Sequence, residues 1–123
     1  MNLVDSSGWL EYFADGPNAD FFPQAIEKPD ELVVPTINLY EVFKRILQQR
    51  SESEALQAIA SMQQGEVVDL TAILALSAAN IAHAFKIPMA DSIVFATARA
   101  YQAVLWTQDE HFKDLEGVRY VGK

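Results

Sequence analysis

Five short runs rich in β-branched and aromatic residues punctuate this chain: Asn2–Asp5, Glu31–Pro35, Glu66–Leu70, Val104–Trp106 and Val118–Val121. The second of them, Glu31–Pro35, is a short β-branched run of the kind buried in parallel sheets. Between the five runs lie stretches with helical spacing. Trp9, Leu10, Tyr12 and Phe13 predict a helix that Gly16-Pro17 breaks, and Asn18–Lys28, with Phe21, Phe22, Ala25 and Ile26, predicts a weaker one. Thr36 is placed to cap a helix to about Arg50, with Leu39, Tyr40, Phe43, Ile46 and Leu47 forming one apolar stripe. Ser51 caps a further helix through Ala55, Leu56, Ile59 and Met62 that stops near Gly65. Thr71 opens an Ala- and Leu-rich helix to Phe85, and Pro88 fits the first turn of another, Met89–Ala103. The apolar residues of that helix lie nearly all round it, so it is expected to be buried. A short helix or turn over Asp109–Leu115 precedes the fifth strand. Strands interleaved with helices predict an α/β fold whose mainly parallel sheet, of about five strands, is covered on both faces.

With 123 residues, half of them hydrophobic, the chain can bury one sizeable core, and 1–123 is expected to form a single domain. No Gly- or Ser-rich linker and no internal repeat divides it. No run reaches the roughly 20 apolar residues of a membrane helix, and Met1–Asp5 lacks the pattern of a secretory leader, so no membrane association and a cytoplasmic location are expected. The absence of Cys excludes disulfides, thiolate metal sites and cysteine nucleophiles. Only His83 and His111 stand against 17 Asp and Glu, a balance that points any metal site to a hard cation such as Mg²⁺ or Mn²⁺ rather than zinc. The net charge of −8 opposes non-specific binding to nucleic acid, which depends on Lys and Arg displacing counterions. That argument reverses locally where carboxylates hold divalent cations.

In open parallel sheets, ligands gather outside the carboxyl ends of the strands. Four acids fall near that edge: Asp5 after the first strand, Glu41 in the helix after the second, Asp91 in the first turn after Pro88, and Asp109 just past the fourth strand. Each alone has an ordinary reading, as a helix cap, a dipole partner or a solvated position. Together they would repel one another unless protonated or bridged by cations. Asp91 is the most telling, because Met89, Ala90, Ile93, Val94 and Phe95 leave its helix little polar surface and an unpartnered charge there is costly. Three or four carboxylates around one or two Mg²⁺ suit phosphodiester hydrolysis by a metal-activated water. Ser6 and Thr107 stand within two residues of these acids, as supporting hydroxyls or as plain cap and turn residues.

The segments Leu3-Val-Asp5-Ser-Ser, Leu39-Tyr-Glu41-Val, Pro88-Met-Ala-Asp91-Ser-Ile-Val-Phe-Ala-Thr-Ala and Trp106-Thr-Gln-Asp109-Glu-His-Phe resemble the four acidic motifs of PIN-domain nucleases. The similarity is closest to VapC-type toxins of toxin–antitoxin pairs, and its motifs run from Leu3 to Phe112. This resemblance implies an α/β/α sandwich and a Mg²⁺- or Mn²⁺-dependent endoribonuclease selective for single strands. It also implies a homodimer held silent by a cognate antitoxin, whose Lys or Arg would best fill an acidic pocket. Asp5, Glu41, Asp91 and Asp109 carry over as metal-binding and catalytic residues, with Ser6 and Thr107 as supporting groups. Asp109 corresponds to the family's least uniform acid.

The other candidates each have a structural and a functional reading. His111 is polar filler before Phe112 or a contact to RNA, and His83, between alanines, is expected to be a partly buried structural residue. Lys44 and Arg45, one turn past Glu41, are solvated helix charges or cations that position RNA, and Arg99 lies two turns beyond Asp91. Trp9, Tyr12 and Phe13 face a core, stack bases, or receive an antitoxin helix. A haloacid-type phosphotransferase would need a second Asp where Ser7 stands, and a receiver domain would need an acidic pair at the first strand. A flap-type DNA nuclease would need a longer chain. The remaining alternative is a catalytically silent PIN-like module that binds RNA or protein without cutting.

Overall fold

The computed structural model describes all 123 residues. Its sheet comprises β1 (Asn2–Val4), β2 (Leu32–Pro35), β3 (Glu66–Val68), β4 (Val104–Thr107) and β5 (Val118–Tyr120). The strands lie in the order β3-β2-β1-β4-β5, and every neighbouring pair is parallel. Six helices flank it: α1 (Ser6–Ala14), α2 (Pro23–Ile26), α3 (Thr36–Gln49), α4 (Glu52–Met62), α5 (Ala72–Phe85) and α6 (Met89–Ala100). No single helix is long and apolar enough to cross a membrane.

The two-residue period of the strands divides the interior into two cores. Leu3, Val33 and Leu105 face α5 and α6, whereas Val4, Leu32, Val34 and Trp106 face the α1–α4 side with Trp9, Phe22, Val42 and Met62. Helices on both faces of one sheet make the α/β/α sandwich. The chain builds outward from β1 through β2 to β3, then returns past α5 and α6 to place β4 on the other side of β1. The sheet therefore reverses its order between β1 and β4, and sheets of this kind bind their ligands at such a point, outside the carboxyl ends of the strands.

Several local expectations are corrected. Asn18–Lys28 is no continuous helix, because Pro23 restarts the chain between a 3₁₀ turn at Ala19–Phe21 and the four-residue α2. Thr36 is the first helical residue and Pro35 the N-cap, and Pro88 caps α6 rather than entering it. α6 ends at Ala100, earlier than Ala103, as Gln102 turns the chain through a positive φ. On α3 the buried line is Asn38, Val42 and Ile46, while Tyr40 and Leu47 of the expected stripe are exposed. His83 is exposed on the outer side of α5. α6 matches expectation, with Ser92–Ala98 buried without interruption.

Candidate active site

Asp5 ends β1 and caps α1. Its carboxylate accepts hydrogen bonds from the Gly8 N–H at 3.0 Å, from Ser7 Oγ at 2.8 and 3.0 Å to its two oxygens, and from Thr107 Oγ1 at 2.9 Å. Gly8 is required here, since a Cβ would lie 2.6 Å from the Phe22 ring and 2.7 Å from Val4 Cγ1. The close approach of α1 to β1 is what aims the Gly8 N–H at the acid. These donors and the helix N-terminus favour the carboxylate, yet burial outweighs them and raises the Asp5 pKa from 3.8 to about 7, with Asp109 adding repulsion.

Thr107, fully buried at the end of β4, joins two of the acids: it donates to Asp5 and accepts the Asp109 N–H at 2.9 Å. Asp109 in turn accepts the His111 N–H at 2.9 Å, capping the short 3₁₀ turn Glu110–Phe112. The turn brings the His111 ring back over the cleft, where Nδ1 lies 2.9 Å from Asp91 and 3.1 Å from Asp109. Asp91, in the first turn of α6, is raised to about 6 by burial and by Asp109 and Glu41, against the opposing pull of His111. The His111 imidazole is raised in turn, first by Asp109 and further by Asp91.

Glu41 accepts from Ser6 Oγ at 2.6 Å, and Ser6 also donates to Asn38 Oδ1 at 3.0 Å. Asn38 is fully buried and donates through Nδ2 to the Val4 carbonyl at 3.0 Å. It thereby ties α3, which carries Glu41, to the end of β1, which carries Asp5. The supporting hydroxyls are thus arranged differently from their sequence neighbours: Ser6 reaches Glu41, and Ser7 reaches Asp5.

The four acids share one cleft. Asp109 acts on both Asp5 and Asp91, and Glu41 acts on Asp91. Ligand atoms of Asp91, Asp109 and His111 lie within 4.8 Å of one another. The PIN domain family model matches residues 3–118. This chain belongs to the PIN-domain family. No curated protein matches it in sequence. Among solved structures, a toxin–antitoxin complex from Klebsiella pneumoniae is similar with a TM-score of 0.80 and 18% identity, over 97% of this chain and 96% of that one. VapC20 of Mycobacterium tuberculosis, described as a sarcin-ricin loop cleaving toxin, gives 0.79 and 18%, over 94% and 95%. VapBC-1 from nontypeable Haemophilus influenzae gives 0.72 and 18%, over 98% and 96%. At these identities the likeness is one of fold.

The donor set of this PIN domain fits a divalent cation. No Lys or Arg forms an ion pair with any of the four acids, and His111 is the only basic group that reaches them. Burial first, and neighbouring carboxylates second, raise Asp5 and Asp91 and so favour uptake of a proton or of a metal. The sequence alone assigns no supporting role to Ser7 or Asn38 and leaves His111 between polar filler and a contact to RNA. Position gave a hint only for Ser7, beside Asp5. Asn38 and His111 reach the cleft through contacts spanning 34 and 20 residues. Elsewhere, Lys44 is exposed and lies over the Tyr40 ring at 5.7 Å, while Arg45 is exposed on the rim of a neighbouring groove. Arg99 stacks on Phe85 and Phe95. Trp9 is wholly buried and packs on Phe13 and Tyr12, so it serves the core and offers no ring to bases or to an antitoxin helix.

Proposed function

We propose that this chain is a divalent-metal-dependent endoribonuclease and the toxin of a toxin–antitoxin pair. The observation that carries the reading is the convergence of four acids at the β1/β4 reversal with no basic side chain but His111 to neutralise them. Asp5, Glu41, Asp91 and Asp109 are the residues that would hold Mg²⁺ or Mn²⁺, with His111 at the rim. When bound, such an ion supplies an activated water and neutralises charge building on the scissile phosphate. Thr107 and Ser7 keep the Asp5 carboxylate aimed into the cleft, and Ser6 does the same for Glu41. Lys44 and Arg45, exposed one turn past Glu41, are the proposed RNA-positioning cations.

Two partners follow from charge and surface. The acidic cleft and the net charge of −8 suit an antitoxin that places Lys or Arg over the acids. Ile73 and Leu76 of α5 are 81% and 70% exposed and Met89 73%, an apolar surface that a second copy would cover in a homodimer. The test is cleavage of single-stranded RNA by purified protein with Mg²⁺, Mn²⁺ or EDTA, beside Asp91→Asn. Metal-dependent cutting that vanishes in the variant supports the proposal. Folded protein that cuts none of several RNAs with either metal would refute it in favour of the silent binding module.

A further inference from the structure

A groove of about 670 Å³ runs between α1 and the α3–α4 pair and opens beside the acidic cleft. Ser7, which donates to both carboxylate oxygens of Asp5, belongs to its lining, as does Gln108, whose N–H reaches Ser7 Oγ at 3.4 Å. Leu10 and Phe13 give it an apolar wall, and Arg45 and Lys123 stand on it as cations.

The charges of this groove are unusual for so acidic a chain. Of the nine Lys and Arg, Arg50 is paired with Glu54 at 3.6 Å, and Lys44, Arg99, Lys113 and Arg119 lie over aromatic rings. Lys28, Arg45, Lys86 and Lys123 have no such partner, and two of these four line this one groove. Of its two acids, Glu54 pairs with Arg50, whereas Glu11 accepts the Asn18 N–H at 2.7 Å and keeps its charge. Its three cations, Arg45, Arg50 and Lys123, outnumber its two carboxylates, Glu11 and Glu54, so the side chains lining the groove are net positive by one charge, next to a cleft of acids. A nuclease site that gathers cations at its centre still needs fixed cations at its flank to hold the phosphates that are not being cut.

We propose that this groove holds the backbone of a single-stranded RNA on one side of the bond to be cut, with Arg45 and Lys123 as its phosphate contacts and Leu10 and Phe13 against a base. The position of that bond rests on the nuclease reading; the affinity of the groove for RNA does not. Phosphate contacts are independent of sequence, so a fluorescein-labelled single-stranded RNA of mixed sequence is a sufficient probe.

The experiment measures anisotropy of that RNA across a salt series in EDTA. It compares the wild-type chain, the double variant Arg45→Gln/Lys123→Gln, and the control Lys28→Gln/Lys86→Gln, which removes equal charge from exposed sites away from the groove. The groove variant is expected to bind about tenfold or more weakly, with the slope of log K against log salt reduced by about 1.4, the value for two single-strand phosphate contacts. The control should retain the wild-type slope. An unchanged slope in the groove variant, or an equal loss in the control, overturns the proposal and leaves the groove to a protein partner. Cleavage by the wild type with Mn²⁺ separates the two readings. RNA bound through the groove but never cut removes the nuclease and keeps the groove. Cutting with unaltered binding by the groove variant removes the groove and keeps the nuclease.

Discussion

The floor and the rim of the acidic cleft hold their carboxylates in opposite ways. At the floor, Asp5 is 4% exposed and fixed by a backbone N–H and two hydroxyls that can only donate to it or rotate away. At the rim, the Asp91 and Asp109 side chains are 19% and 28% exposed and meet through the mobile proton acceptor and donor of His111, itself half exposed. The floor is preorganised by secondary structure, since β1, β4 and the first turn of α1 supply every partner. The rim is assembled by a 3₁₀ turn and the start of a helix. In the proposed nuclease the buried floor would set where a cation sits, and the more exposed rim would face the substrate.

The largest expected effect would erase the contrast. If both regions hold the metal, Asp5→Asn and Asp91→Asn should each lower RNA cleavage by more than about a hundredfold, beyond the range for outer-shell partners, while circular dichroism shows a folded chain. A floor variant that cuts at the wild-type rate would remove Asp5 from the site. Thr107→Val comes next. It keeps the shape but leaves the Asp109 N–H unpaired and Asp5 short of one donor, so metal affinity should fall about 10–100-fold and stability by about 1–3 kcal/mol. Calorimetric titration with Mn²⁺ and urea melts read the two effects separately, and unchanged metal affinity would show that the floor does not need its bridge.

The pH dependence of stability sharpens the comparison. Because the folded Asp5 pKa is raised from 3.8 to about 7, the folded state favours the protonated acid. The contribution of Asp5 is therefore full below about pH 4 and is lost as pH rises through about 7. In EDTA, wild type should lose on the order of 3 kcal/mol more than Asp5→Asn between about pH 5 and about pH 8, measured by urea unfolding. Saturating Mn²⁺ should offset that loss by binding the carboxylate form. Equal losses in both proteins would mean that the floor is not desolvated as described. The smallest effect belongs to the rim. His111→Asn should weaken Mn²⁺ several-fold and leave Mg²⁺ nearly unchanged, since an imidazole suits transition ions better than Mg²⁺. Equal changes for both ions would show that His111 is no ligand.

Much of this architecture is legible in the amino-acid sequence. The five strands, the helices between them and the placement of four acids at one sheet edge follow from apolar runs and 3.6-residue spacing, which are local signals. The local rules failed where tertiary contact overrode them. On α3, Asn38 reads as polar and Tyr40 as apolar, yet Asn38 is buried because the Val4 carbonyl and Ser6 satisfy its amide, and Tyr40 stands in solvent. α5 and α6 are both apolar in sequence. α6 is buried along Ser92–Ala98, whereas α5 leaves Ile73 and Leu76 on the surface.

By itself, then, the sequence determined the order of elements and which carboxylates stand at the ends of β1 and β4, because hydrophobic period, proline and capping residues act over a few neighbours. The tertiary structure decided that Ser7 and Thr107 hold Asp5, that Ser6, itself bonded to Asn38, holds Glu41, and that His111 closes over Asp91. Most of these contacts join residues 20 to 102 positions apart. They depend on the strand order and register of the whole sheet, and no local pattern encodes where two distant turns will meet.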